Sequence, residues 1–293
     1  MTGRAHSICD VGATLGEGPI WVARESALYF VDIKAPRVYR YDPATAKLEH
    51  WDAPGQVGWI VPIAGGGFLT GVQDGLYRFD SASGAFEKLC DAEPEKPGNR
   101  MNDAAVDPAG RLWFGSMDDS EESATGHLYS FTNGVIRDSG ADPVIITNGP
   151  AIAPDGKTLY AVDTADRRVD AYTITAEGTL TEKRPFLVLD DSVQGHPDGA
   201  ICDSEGGIWL GFFGGAAVRR YASDGQCTQT VEFPASNVTK IALGGPDGRD
   251  AYATTARKGL SKEQLAEQPE AGNLFTFRVN VPGISGTELK LDK

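Results

Sequence analysis

The sequence predicts a six-bladed β-propeller, on three observations. A turn-and-strand motif recurs six times, the repeat length is nearly constant, and a second alternating strand follows every copy. The motif reads ARESALYFVDI (23–33), AGGGFLTGV (64–72), DPAGRLWFGSM (107–117), APDGKTLYAVDT (153–164), DSEGGIWLGFF (203–213) and GPDGRDAYATT (245–255). With Ser26, Gly67, Gly110, Gly156, Gly206 and Gly248 as markers, the copies lie 41, 43, 46, 50 and 42 residues apart. That is the size of a four-stranded propeller blade.

The second strands are VYRYD (38–42), LYRFD (76–80), LYSF (128–131), VDAYTI (169–174), VRRY (218–221) and LFTF (274–277). Alternation with a period of two marks half-buried antiparallel strands. Asp155-Gly156 and Asp224-Gly225 are hairpin signals. The 36 Gly and 17 Pro, without any collagen-like period, fit many tight turns. Only 259–268 (GLSKEQLAEQ) carries a helical pattern, read as a short helical insert in the last blade. A β-sandwich or two stacked β-domains is the competing architecture, but neither repeats one motif six times at this spacing. No Pro- or Gly-rich linker divides the chain, so residues 1–293 are expected to form a single all-β domain of four-stranded antiparallel blades.

Composition narrows the function. The chain is 41% hydrophobic and 23% charged, ordinary values for a globular protein, with a net charge of −14. A nucleic-acid partner requires clustered Lys and Arg, and no such stripe exists. Acidic membrane surfaces are disfavoured for the same reason. Solubility is the plain reading of the negative charge. Cys9, Cys90, Cys202 and Cys227 lie far apart with no CxxC pair, so neither a zinc knuckle nor a disulfide framework is indicated. The first residues hold no apolar signal core, and no segment approaches 18 apolar residues, so a reducing cytoplasm is expected. A closed propeller does not depend on partners for stability, so a monomer is expected.

A third segment precedes each motif and is read as the innermost strand of its blade. The six are LGEGPIW (15–21), QVGWIVPI (56–63), RMNDAAVDP (100–108), ITNGPAIAP (146–154), HPDGAICDS (196–204) and NVTKIALGG (237–245). Aligned by their apolar ends, they open with Glu17, Val57 or Gly58, Asn102, Asn148, Asp198 and Thr239. Inner-strand starts converge on one mouth of a propeller's channel, so residues over a hundred positions apart meet there. Glu17, Asn148 and Asp198 are each followed by Gly, which allows close backbone approach. Any one of them alone is an ordinary turn former. Three at one position of separate blades, two of them carboxylates that repel each other, point to a cation. An all-oxygen set suits one hard or borderline divalent ion (calcium, zinc, manganese, magnesium or ferrous iron), and without thiolate or imidazole it does not resemble a structural zinc site.

LGEGPIW, RMND, DPAGRLWFGSM, ITNGPAIAPDGKTLYAVDT, HPDGAICDSEGGIWLGFFGG and TTARKG together resemble the gluconolactonase/regucalcin family, the senescence marker proteins, from Leu15 to about Phe277. Within it the chain is most similar to bacterial sugar lactonases such as the xylonolactonases. The resemblance implies a six-bladed propeller with one catalytic divalent metal held by Glu17, Asn148 and Asp198. It places the family's substrate-contacting Arg and Asn on Arg100 and Asn102. A further acidic position of some members falls in Ser116–Glu121, carried over here to Asp119.

Opening a lactone requires a polarised carbonyl, an activated water and a stabilised oxyanion. A single metal serves as Lewis acid and lowers the pKa of bound water. Arg100 offers a forked cation to lactone or hydroxyl oxygens, and Asn102 can orient sugar hydroxyls. Asp198 is the candidate general base, with direct activation of the water by the metal as the alternative. No G-x-S-x-G elbow or HExxH is present. His196, two residues before Asp198, reads as a solvated loop histidine. Trp21, Trp113 and Trp209 read as inter-blade core, whereas Trp59, at an inner-strand start, could wall a sugar ring. Hydrolysis of a sugar lactone to the aldonic acid is the leading expectation. A propeller esterase or organophosphatase and a non-catalytic metal-binding propeller remain the alternatives.

Overall fold

The computed structural model describes residues 2–284 and 286–291, arranged as six twisted sheets around a central channel. The inner strands are Gly16–Val22, Val57–Pro62, Asn99–Val106, Thr147–Ile152, His196–Cys202 and Val238–Gly244, for blades 1 to 6. Each pairs antiparallel with the strand of the repeated motif, which pairs in turn with the alternating strand expected after it. Neighbouring inner strands touch around the whole ring, including blade 6 against blade 1.

The burial pattern follows from that geometry. Val57–Pro62 is buried at every residue, while the outermost strand of the same blade, Ala85–Asp91, alternates between half-buried and exposed. Apolar runs therefore sit near the axis, and charge-rich strands at the rim. Trp113 packs with Ile152 and Leu159 between blades 3 and 4. Trp209 packs with Val238 and Phe275 between blades 5 and 6, and Trp21 stacks on Tyr252 between blades 6 and 1. Trp59 does not wall the mouth. It is 1% exposed, lies among Val61, Met101 and Phe114, and presses on Gly71, so it belongs to the core between blades 2 and 3.

Ring closure comes from the chain's beginning. The sixth copy supplies only three strands, Val238–Gly244, Asp250–Thr255 and Leu274–Arg278, and His6–Cys9 pairs antiparallel with the last of them. Thr2–Arg4 adds a parallel fifth strand to blade 5. One N-terminal segment thus ties blades 5 and 6 together. The helical pattern at 259–268 appears as a single helix, Lys262–Glu267, with a capping box formed by Ser261 and Gln264. At the channel's far end, Gly283 bridges to Asp203 and Leu289 to Ile63. No described helix is long and apolar enough to cross a membrane.

The Asp of the repeated turn has a structural task. In blade 5, Asp203 Oδ1 accepts from the Glu205 and Gly207 amides, and Oδ2 accepts from Trp209 Nε1 at 3.0 Å and Arg220 Nε at 2.6 Å. Asp107 does the same in blade 3 for Trp113 and Arg111. Asp203 is fully buried, so Asp203→Ala strands an indole N–H and a guanidinium. Chemical denaturation is expected to show a loss of about 3 kcal/mol or more. Asp224→Ala, in an exposed hairpin turn, is expected to shift stability by less than about 1 kcal/mol.

Candidate metal centre at the channel mouth

Each inner strand departs from regular pairing just inside the mouth. In blade 1, Glu17 faces Val31 and Ile20 faces Tyr29, so three steps on one strand oppose two on the other. One extra residue likewise lies between Val57 and Trp59, Met101 and Ala104, Asn148 and Ala151, Pro197 and Ala200, and Val238 and Ile241. Glu17 and Asn148 are the last paired residues before the bulge, whereas Asn102, Asp198 and Thr239 lie inside it. The expected common position is therefore offset by one step. In a regular strand that offset would turn a side chain to the opposite face. The bulge re-aims it, which is how residues out of register converge. Gly18 and Gly149, at φ 54° and 69°, supply the left-handed residues that the two Gly-Pro bulges need.

Arg100, Asn102, Asn148 and Thr164 form one buried hydrogen-bonded network at the mouth. Glu17, Asn148 and Asp198 are 3%, 4% and 6% exposed. Asn148 Nδ2 donates to Thr164 Oγ1 at 2.8 Å, and its Oδ1 accepts from Asn102 Nδ2 at 3.0 Å. Asn102 also donates to Thr147 O at 2.6 Å, and its Oδ1 accepts from Arg100 Nη1 at 2.6 Å. Both Asn102 amide protons are thus spent inside the protein. Arg100 is buried and turns its Nε to Asp119 Oδ1 at 2.8 Å. Asp119 further accepts from Lys34 Nζ at 2.5 Å and Gln56 Nε2 at 3.0 Å. His196 is exposed at the mouth, with Nδ1 3.2 Å from Thr164 O.

The electrostatics divide these groups in two. Burial alone would raise the Asp119 carboxyl, but Lys34, Gln56 and Arg100 hold it down at about 2. Burial raises the Glu17 carboxyl to about 8, with the nearby Asp103 charge adding to it against the pull of the Gly18 N–H, Lys240 and Arg100. Burial, then the charges of Glu17 and Asp103, push Asp198 well above the carboxylate range. Glu17 and Asp198 are therefore close enough to repel. Arg100 is matched by Asp119, Lys240 by Asp103 and Lys258 by Glu121. Among the described residues, neither Glu17 nor Asp198 has an ion-pair partner.

Two buried carboxylates without a counter-charge, beside an amide oxygen fixed by its own hydrogen bonds, fit a divalent cation. No cluster of three His, Cys, Asp or Glu side chains that could hold a metal occurs among the described residues, and the Asn148 amide oxygen is the candidate third donor. A cavity of about 660 Å³ lies at the opposite end of the channel. Ile20, Ala105, Ile152, Ala200 and Leu243 line it, and it gathers no carboxylate pair.

Residues 15–257 match the SMP-30/Gluconolactonase/LRE-like region over most of the chain. The protein belongs to this family. It is 33% identical over 271 residues to the 6-deoxy-6-sulfogluconolactonase of Pseudomonas putida, covering 92% of this chain and 93% of that one. It is 34% identical over 287 residues to the L-arabinolactonase of Azospirillum brasilense, covering 97% and 94%. The crystal structure of a calcium-binding protein, regucalcin, from Agrobacterium tumefaciens superposes with a TM-score of 0.93 at 27% identity, covering 100% of this chain and 98% of that one. Lys34, Gln56, Asp103, Thr164 and Lys240 join the candidate site only in the folded structure. Lys240 had one available signal, a charged residue within an otherwise apolar inner strand.

The raised carboxyls set a pH dependence for the metal-free protein. A carboxyl that titrates at 4.5 in the unfolded chain and about 8 in the folded one leaves the folded state holding more protons between those values. Its stabilising contribution is full below the lower value and is lost as pH rises towards the upper one. Thermal melting of metal-free protein is expected to fall between about pH 5 and about pH 8, and Glu17→Gln to flatten that slope.

Proposed function

We propose that the protein hydrolyses a sugar lactone to its aldonic acid, with one divalent cation held by Glu17, Asn148 and Asp198. The observation that carries this reading is the pair of buried, cation-free carboxylates beside a fixed amide oxygen. Membership of the SMP-30/gluconolactonase family and the lactonase names of the two curated relatives support the substrate class. The calcium-binding regucalcin supports a divalent ion.

When bound, the cation supplies Lewis acidity toward the lactone carbonyl. Asp198 accepts the proton of the attacking water. The water oxygen bonds to the carbonyl carbon, and the acyl–oxygen bond of the ring breaks as the ring oxygen takes up a proton to become a hydroxyl. Arg100 is held by Asp119 and Asn102, so its charge is fixed beside the reacting oxygens before substrate arrives, and little reorganisation is left for the reaction itself. Asn102 acts mainly by positioning Asn148, with one acceptor lone pair left for a hydroxyl. Asp119 orients Arg100 and lines the mouth.

Lys34 and Arg100 share the single charge of Asp119, and Lys258 pairs with Glu121, so these groups at the mouth keep one cation in excess of their carboxylates. A panel of pentono- and hexonolactones is expected to show faster turnover of the sugar lactones than of an aryl ester. An aryl ester as the better substrate would favour the esterase reading.

Chelation is expected to abolish ring opening, and restoring a divalent ion to recover it. Glu17→Gln and Asp198→Asn are expected to lower kcat/KM by about 100-fold or more. Undiminished turnover of every lactone by metal-free protein would refute the reading. Thr164→Val, which removes the clamp on the Asn148 amide, is expected to weaken metal binding about tenfold in a calorimetric titration.

A further inference from the structure

Beneath the ligand positions a pair of opposite charges spans the channel. Lys240 Nζ donates to Asp103 Oδ1 at 2.5 Å and to Ala104 O at 3.3 Å. The two side chains are 5% and 1% exposed. Asp103 belongs to the inner strand of blade 3 and Lys240 to that of blade 6, which face each other across the axis of a six-membered ring. Both residues lie inside the bulges that shape the candidate site.

This pair touches the site from below. The Lys240 stem lies on Gly199, the residue after Asp198: a Cβ there would stand 2.5 Å from Lys240 Cβ. Asp103 is the foremost charge acting on Glu17, and it acts on Asp198 too. Its Oδ2 is buried without a hydrogen-bond partner. Stability alone does not account for such a pair, since a buried ion pair is often no better than apolar residues of similar volume. The charge count offers a reason. Glu17, Asp198 and Asp103 bring three negative charges into one channel. A divalent ion balances two of them and the Lys240 ammonium balances the third.

We propose that Lys240 is a built-in cation. It neutralises Asp103 so that the channel takes one divalent ion rather than two, and the Asp103–Lys240 pair sets how tightly Glu17, Asn148 and Asp198 hold that ion. Asp103 and Lys240 are positioning residues here. The inference rests on the metal-site reading above and adds the control of its affinity and stoichiometry.

Calorimetric titration of metal-stripped protein with calcium chloride and, separately, manganese chloride tests it. Asp103→Asn leaves an unbalanced ammonium under the ligands and is expected to weaken binding about tenfold or more. Lys240→Met leaves an unbalanced carboxylate and is expected to tighten binding or admit a second ion. The double variant, with no charge left in the floor, is expected to bind one ion within about threefold of wild type. A pair that serves only packing would weaken binding in both single variants, so shifts of the same sign, or no shift in either, overturn the proposal. Should Lys240→Met not fold, the double variant decides: affinity as low as that of Asp103→Asn overturns it, and recovery supports it. Wild-type protein that binds neither ion refutes the metal site itself and this inference with it. One ion bound by wild type with like-signed shifts refutes only the role of the pair.

Discussion

Repulsion among buried carboxylates is the constraint on which the centre of this protein depends. Glu17, Asp103 and Asp198 are each at least nine-tenths buried in one channel, where the Asp103 charge raises the cost of ionising Glu17 and Asp198, and the Glu17 charge raises that of Asp198. Such an arrangement persists only where protons or cations neutralise it. Lys240 provides one from within the chain, and the proposed divalent ion would provide the rest. Arg100 belongs to a separate circuit, because Asp119 already claims it. The site is thus divided into a part with its charge satisfied internally and a part whose charge awaits a ligand.

The propeller makes this division possible by bringing six strand ends to one axis. Regular strands alone would not aim the side chains correctly, since Glu17 and Asn148 stand one step out of register with Asp198 and Asn102. The bulge in every inner strand corrects that offset. Around it the fold is stiffened by repeated local devices. Asp107 and Asp203 each hold a turn, an indole and a guanidinium at once, fixing the repeated turn to the blade beside it. The N-terminal strands then close the ring against blades 5 and 6, so the channel geometry is held from its rim inward.

Much of this is legible in the sequence because it is local. Alternation in VYRYD or LYRFD reports a half-buried strand, and the recurring Asp-x-x-Gly turn reports a blade of fixed size. Glu17, Asn148 and Asp198 stand out through the Gly that follows each. Trp59 misleads for a corresponding reason. Its position at an inner-strand start is visible in the sequence, but the direction of its ring is set by the bulge at Gly58 and the space over Gly71. Closure by His6–Cys9 is likewise hidden, because the pairing joins opposite ends of the chain and four residues carry too little pattern to announce it.

The sequence by itself determined the repeat and the blade size and pointed to the three candidate oxygen donors, since each is a matter of residue type and spacing along the chain. Only the tertiary structure decided which charges meet. Arg100 goes to Asp119 and Lys240 to Asp103, while Glu17 and Asp198 keep no cation. Ion pairing depends on separation in space, and Lys240 and Asp103 are 137 residues apart in the chain. Their meeting is a property of ring closure and of two bulges on opposite blades, which no local stretch of sequence specifies.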